Sequence, residues 1–253
     1  MKILGSDYDG TLYCGGVSEE NRASVAKWQS LGNKFGIVSG RGVDFPPKIK
    51  KQYPDLKIDF FVLCNGAYIT DGEGRRLFAT SSRGVDTLTL LKDLFSFGCV
   101  FVMIHSALGF QCVVADLRER PEWIAPENTC LIGDFSGIES FYQLSVRFPA
   151  SDVATEKRVN VCERYGEWLN PLQNGVFLDI VPLGVNKATG MSAVMCHYGG
   201  REEDVIVIGD NRNDMDMIRA FRSFAMESGI DALKAEATGV VRDVAELIQN
   251  EIE

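Results

Sequence analysis

The sequence predicts an α/β fold in which a doubly wound, Rossmann-like parallel sheet is interrupted by an inserted α+β domain. Three observations carry this expectation. Short apolar runs alternate with helical segments over the first third of the chain, the alternation stops near Gly84 and resumes after Val181, and glycine-containing polar loops stand where several apolar runs end.

Lys2 to Ser6 reads as a short buried strand that gives way to the turn-rich Asp7-Tyr8-Asp9-Gly10-Thr11. A helix follows. Ser18 is its N-cap, Glu19 and Glu20 suit the positive end of its dipole, and Val25, Trp28 and Leu31 form its apolar face before Gly32 closes it. Lys34 to Val38 is a second strand running into Ser39-Gly40-Arg41, and a Lys-rich helix then extends to Tyr53 with Pro46-Pro47 tolerated in its first turn. Phe60 to Cys64 is a third strand. The segment 84–181 mixes a helix (Val85 to Phe95) with strands (Val100 to Ile104, Phe110 to Val114, Val176 to Val181). The doubly wound pattern then returns with a helix from Ala188 to His197, the strand Val205 to Ile208 and a loop full of carboxylates. The expected division is a core of 1–83 and 182–253 and an inserted domain of 84–181.

Bulk composition narrows the partners. Apolar residues make up 45% and charged residues 24% of the 253 residues, the profile of an ordinary globular protein. Apolar runs fall far below the roughly 18 residues of a membrane span, and no secretion signal precedes Gly5-Ser6-Asp7, so no membrane partner and a cytoplasmic location are expected. A net charge of −9 argues against nucleic acid. It leaves room for a small anion bound by a local Lys, a metal and backbone N–H groups. The seven cysteines are scattered without a Cys-x-x-Cys pair, and His105 and His197 lie far from any cluster, so reduced thiols are expected and structural zinc is not. A monomer is favoured, although composition does not fix the oligomeric state.

In open α/β sheets ligands bind beyond the carboxyl ends of the strands. Here those ends, together with a helix start, present Asp7-Tyr8-Asp9-Gly10-Thr11, Ser39-Gly40-Arg41, Asn186-Lys187 and Gly209-Asp210-Asn211-Arg212-Asn213-Asp214. Several carboxylates converging on one point need a cation among them, and Mg²⁺, which takes oxygen ligands, is the natural one. An EF-hand reading fails because neither acidic loop has its glycine where that turn needs it.

In order and spacing, DYDGT, the Ser39 of VSGR, the Lys187 of GVNKATG and GDNRND resemble the four motifs of the haloacid dehalogenase superfamily, and most nearly its Cof-type branch, whose cap lies between the second and third motifs. The resemblance implies a phosphatase acting on a small phosphorylated metabolite such as a sugar phosphate. Asp7 would attack phosphorus and form an aspartyl-phosphate, and Asp9 would act as general acid and then base. Ser39, Gly40, Arg41 and Lys187 would hold the phosphoryl oxygens. Asp210 would bind Mg²⁺ with Asp7 and the main-chain carbonyl of Asp9, and Asp214 would complete the shell or orient Lys187. Asn65 and Asn213 are possible substrate contacts, and the inserted cap would select the substrate. A phosphomutase using the same intermediate and a catalytically silent binding protein are the alternatives.

Each residue also has a plainer reading. Ser39 alone suits a helix cap and Lys187 a surface charge; Arg41 serves equally to reach substrate or to pair with a core carboxylate. Asn65-Gly66 reads first as a hairpin turn, Asp179 as a solvated strand residue, and Trp123, Phe135, Phe141 and Trp168 as cap core. Departures from the family pattern are Glu227-Ser228 in place of Gly-Asn, Ala188 after Lys187, and Ala237-Thr238-Gly239 before the last helix.

Overall fold

A computed structural model describes residues 1–252. The chain divides into two compact units, one of Met1–Arg41, Phe45–Phe78 and Asn186 onward, the other of Gly42–Asp44 and Ala79–Val185. The first unit opens with β1 (Ile3–Ser6), α1 (Glu19–Ser30), β2 (Lys34–Val38), α2 (Phe45–Gln52), β3 (Phe60–Leu63), β4 (Tyr68–Asp71) and β5 (Arg76–Ala79). Ser18 caps α1 by accepting the Asn21 N–H at 3.1 Å, and α2 carries Pro46-Pro47 in its first turn, where no backbone donor is needed. Leu31 does not join the apolar face of α1. It lies just past the helix end and is exposed, leaving Val25 and Trp28 to bury that face.

The second unit contains α3 (Thr87–Ser96), β6 (Phe101–Ser106), β7 (Gly109–Val114), β8 (Thr129–Leu131), β9 (Gln143–Arg147), α4 (Ser151–Tyr165), β10 (Leu169–Asn174) and β11 (Phe177–Pro182). Its sheet runs in the order β10-β11-β9-β6-β7-β8. Leu90, Leu91 and Leu94 of α3 pack with Val102, Ile104, Leu144, Val146, Leu178 and Ile180, one side of the sheet. Phe135 and Phe141 are core as expected, but Trp123 and Trp168 are exposed. Asp179 also departs from expectation. Strand alternation puts it on the face opposite Leu178 and Ile180, yet it is buried and accepts from the Ser145 hydroxyl at 2.7 Å, its cross-strand partner in register. Ser145 in turn accepts from the Gln143 side chain at 2.8 Å, so the burial is compensated by hydrogen bonds.

The chain then returns to the first unit with α5 (Lys187–His197), β12 (Val205–Gly209), α6 (Met215–Ala220), β13 (Arg222–Met226), α7 (Asp231–Glu236), β14 (Gly239–Val241) and α8 (Val244–Ile252). The sheet order is β14-β13-β12-β1-β2-β3-β4-β5, parallel from β14 through β3. Parallel strands buried on both faces read as near-continuous apolar runs, which is why β1, β3 and β12 are visible in the sequence. Asn65-Gly66 makes the hairpin its composition predicts, turning β3 back into antiparallel β4 through Cys64–Gly66. Among the described residues no helix is long and apolar enough to cross a membrane.

Candidate active site

The register of the parallel sheet places the first charged residues. Ser6 of β1 pairs with Ile208 of β12 on one side and Ile37 of β2 on the other, so Asp7, Asp210 and Ser39 all emerge within two residues of one level. The Asp7 N–H continues the ladder to the Ile208 carbonyl at 2.9 Å, after which the chain curls tightly, with the Tyr13 N–H bonded to the Tyr8 carbonyl at 2.8 Å. Gly10 permits that curl. Its φ of +86° suits glycine, and a Cβ there would lie 2.5 Å from Asp210 Oδ2.

Lys187 begins α5, behind an Asn186 cap that accepts the Thr189 N–H. Far from being a surface charge, it is fully buried, with its ammonium 2.6 Å from Asp7 Oδ1 and 2.5 Å from Asp214 Oδ1. Asp214 is held on its other side as well, because Oδ2 accepts the backbone N–H groups of Asp210 and Asn211, each at 3.0 Å. Gly209 makes room for this arrangement, since a Cβ at that position would fall 2.5 Å from Asp214 Cγ. The Thr11 hydroxyl donates to Asp210 Oδ1 at 3.0 Å, a contact that joins two loops 199 positions apart and that the sequence alone does not reveal, although Thr11 lies in the same turn as Asp7.

Like charges shape the electrostatics. Burial pushes the Asp7 carboxyl well above the usual carboxylate range, against the pull of Lys187 and with the added push of Asp214 and Asp210. Asp210 is raised by burial and by Asp214. The Lys187 ammonium overcomes its own burial through Asp214 and Asp7, and its pKa lies above the ordinary lysine value. Oxygens of Asp7, Asp210 and Asp214 come within 4.8 Å of one another. An oxygen-only, acidic donor set under this much mutual repulsion fits a hard divalent cation.

The remaining candidates lie around this cluster. Ser39 is buried, and its hydroxyl accepts the Arg41 N–H at 3.2 Å. Gly40 lies between them in the same loop. Asn65 sits buried in the β3–β4 turn, its N–H bonded to the Ser39 carbonyl at 3.1 Å, and Asn213 is half-buried in the short turn before Asp214. Asp9 stands outside the acidic cluster. Both of its oxygens accept from Arg41, from Nε at 2.8 Å and from Nη2 at 2.6 Å. Of the two roles the sequence allows Arg41, the structure displays pairing with a carboxylate.

A family model described as haloacid dehalogenase-like hydrolase matches residues 4–246. The chain belongs to that family. Its similarity extends to the 5-amino-6-(5-phospho-D-ribitylamino)uracil phosphatase YcsE of Bacillus subtilis, 25% identical over 98% of this chain and 89% of that protein. The phosphatase of the same description from Escherichia coli, YbjI, is 23% identical over 94% of this chain and 89% of its own length. Among solved structures, a subclass IIB sugar phosphatase of the superfamily superposes with a TM-score of 0.80 at 20% identity, covering 100% of this chain and 97% of the other. A HAD/COF-like hydrolase from Plasmodium vivax gives a TM-score of 0.76 at 18% identity, covering 100% and 95%. The family member is thus of Cof type and a phosphoric monoester hydrolase, as the four motifs imply.

Proposed function

We propose that this hydrolase removes phosphate from a small phosphorylated metabolite, a sugar phosphate or a phosphorylated sugar-alcohol derivative, using Asp7 as nucleophile and Mg²⁺ as cofactor. The observation that carries the reading is the fully buried Lys187 ammonium held between Asp7 and Asp214. A buried charge array of this kind costs desolvation free energy, and an active site gives it a use.

In the first half-reaction an Asp7 carboxylate oxygen forms a bond to phosphorus while the bond from phosphorus to the ester oxygen breaks. The leaving oxygen keeps the electron pair and takes a proton from Asp9. In the second, water attacks phosphorus, Asp9 accepts its proton, and the acyl-phosphate bond breaks to regenerate the Asp7 carboxylate. Lys187 and Ser39 donate to the phosphoryl oxygens, and the peptide groups at Gly40 belong to the same cradle. Asp7, Asp210 and the Asp9 carbonyl would hold the Mg²⁺, with Asp214 fixing Lys187 and the loop. Bound there, the ion supplies charge neutralisation between an anionic nucleophile and an anionic substrate. The unit built on residues 79–185 supplies substrate selection, and the two ribitylaminouracil phosphatases and the sugar phosphatase among the relatives support a polyhydroxylated leaving group.

The test is direct. Mass spectrometry after rapid quenching of the protein with Mg²⁺ and substrate should find phosphate on Asp7, and Asp7→Asn should lose turnover of a generic aryl phosphate. Phosphate trapped on another residue overturns the assignment. A screen of phosphorylated sugars and sugar alcohols, ranked by kcat/KM, then identifies the leaving group.

A further inference from the structure

We propose that Arg41 is a positioning residue for Asp9 rather than a ligand of the substrate phosphate. This rests on the reading of Asp9 as the group that protonates the leaving oxygen.

The geometry is over-determined for a surface ion pair. The guanidinium engages Asp9 with a two-pronged fork, Nε to Oδ2 at 2.8 Å and Nη2 to Oδ1 at 2.6 Å, which fixes the plane as well as the direction of the carboxylate. Its Cζ lies 5.2 Å from the ring centroids of both Tyr8 and Phe45, which are themselves in edge contact at 4.8 Å. Tyr13 stacks on Tyr8 at 5.2 Å. The Arg41 backbone is tied down too, its N–H given to the Ser39 hydroxyl at 3.2 Å and its carbonyl accepting the Cys64 N–H at 2.9 Å. A continuous path therefore runs from the β3–β4 turn and the Ser39 loop, through Arg41, to the Asp9 carboxylate.

Stability does not explain this construction. The Arg41 and Asp9 side chains are 46% and 50% exposed, and exposed pairs contribute roughly 0–1 kcal/mol. Phosphate binding does not explain the fork either, because its Nε and Nη2 donors are directed at Asp9. What the fork and the aromatic platform provide is a fixed direction for one carboxyl group. Lysine would keep the charge but lose the plane and the stacking.

The experiment compares two esters in Arg41→Gln and Arg41→Lys. p-Nitrophenyl phosphate has a leaving group that departs without a proton, whereas an alkyl ester such as glycerol phosphate needs one. Arg41→Gln should lower kcat for the alkyl ester about 10-fold more than for the aryl ester, a part of the usual contribution of general acid catalysis. The inhibition constant of inorganic phosphate should stay within about twofold of wild type, since only a lost phosphate contact would move it by the ~10-fold expected for one charge-assisted hydrogen bond. Arg41→Lys should recover only part of the alkyl ester rate, and it decides the question if the glutamine variant is insoluble. Equal losses on both esters, or weakened phosphate inhibition, overturn the proposal. A wild-type protein that hydrolyses neither ester with Mg²⁺ overturns the phosphatase reading itself, a failure visible before any variant is made.

Discussion

Two ion-paired assemblies stand a few residues apart in the first unit and differ in their access to water. Lys187 and Asp214 are 0% exposed and Asp7 is 7% exposed, whereas Arg41 and Asp9 are each about half exposed. In the buried set every charge depends on the others, because none can fall back on hydration if a partner is removed. In the exposed pair water replaces either partner at little cost in free energy, so the fold does not depend on it. The contrast matches the proposed tasks. A nucleophile and its counter-charge gain from being shielded from water, while a group that passes a proton to one molecule and takes it from another needs both a fixed direction and access to water.

The largest test of this contrast is Lys187→Met. It strands two carboxylates in the interior and should cost about 3–5 kcal/mol of unfolding free energy, read from urea titration. Adding Asp214→Asn to that variant should return part of the loss, and a single-variant loss below about 1 kcal/mol would show that the cluster is not electrostatically interdependent.

Cation binding gives the next effect. Mg²⁺ at 100 times its dissociation constant should add about 2.7 kcal/mol to the stability of the wild type, seen as a higher Tm, and Asp210→Asn should remove most of that shift. The effect should also depend on pH. Asp7 and Asp210 titrate above their unfolded values in the cation-free protein, so the unfolded chain gives up these protons first, and cation-free stability falls as pH rises through that window. The cation requires the ionised oxygens, so the Tm increment it brings should grow over the same rise in pH and shrink on acidification. An increment independent of pH would mean that these carboxylates are not its ligands.

Smaller effects follow at single hydrogen bonds. Thr11→Val removes the donor to Asp210 and should cost about 1 kcal/mol, together with a weaker Mg²⁺ response in the same melting experiment. Arg41→Gln should change stability by less than about 1 kcal/mol, the smallest shift of the series; a larger one would place Arg41 with the buried set.

Much of the first unit was legible because its information is local. β1 and β12 are apolar runs ended by glycine and carboxylates, β3 is one ended by Asn65-Gly66, and parallel register then carries their ends to one level without further instruction. The second unit was harder to read for identifiable reasons. Helix α4 buries only Ala154, Val161 and Tyr165 and leaves Val159 exposed, so it offers little periodic signal. Strand β10 contains Pro171 and three Asn or Gln residues, a composition tolerated because β10 is an edge strand. Asp179 looks solvated in one dimension, and its burial depends on Ser145, a cross-strand neighbour 34 positions away. The sequence leaves Arg41 between substrate and an unidentified core carboxylate for the same reason: its partner Asp9 lies 32 positions away, and only the folded loops bring them together.

Gly209 carries no charge and takes no part in any proton transfer, yet its bare α-carbon is what lets Asp214 lie against the end of β12. A single methyl introduced there would press on the acid that steadies Lys187 while leaving all the reactive groups in place. A sister protein bearing alanine at that point would keep the recognisable signature residues and still be a poor catalyst, so inventories of functional side chains would count it as active in error.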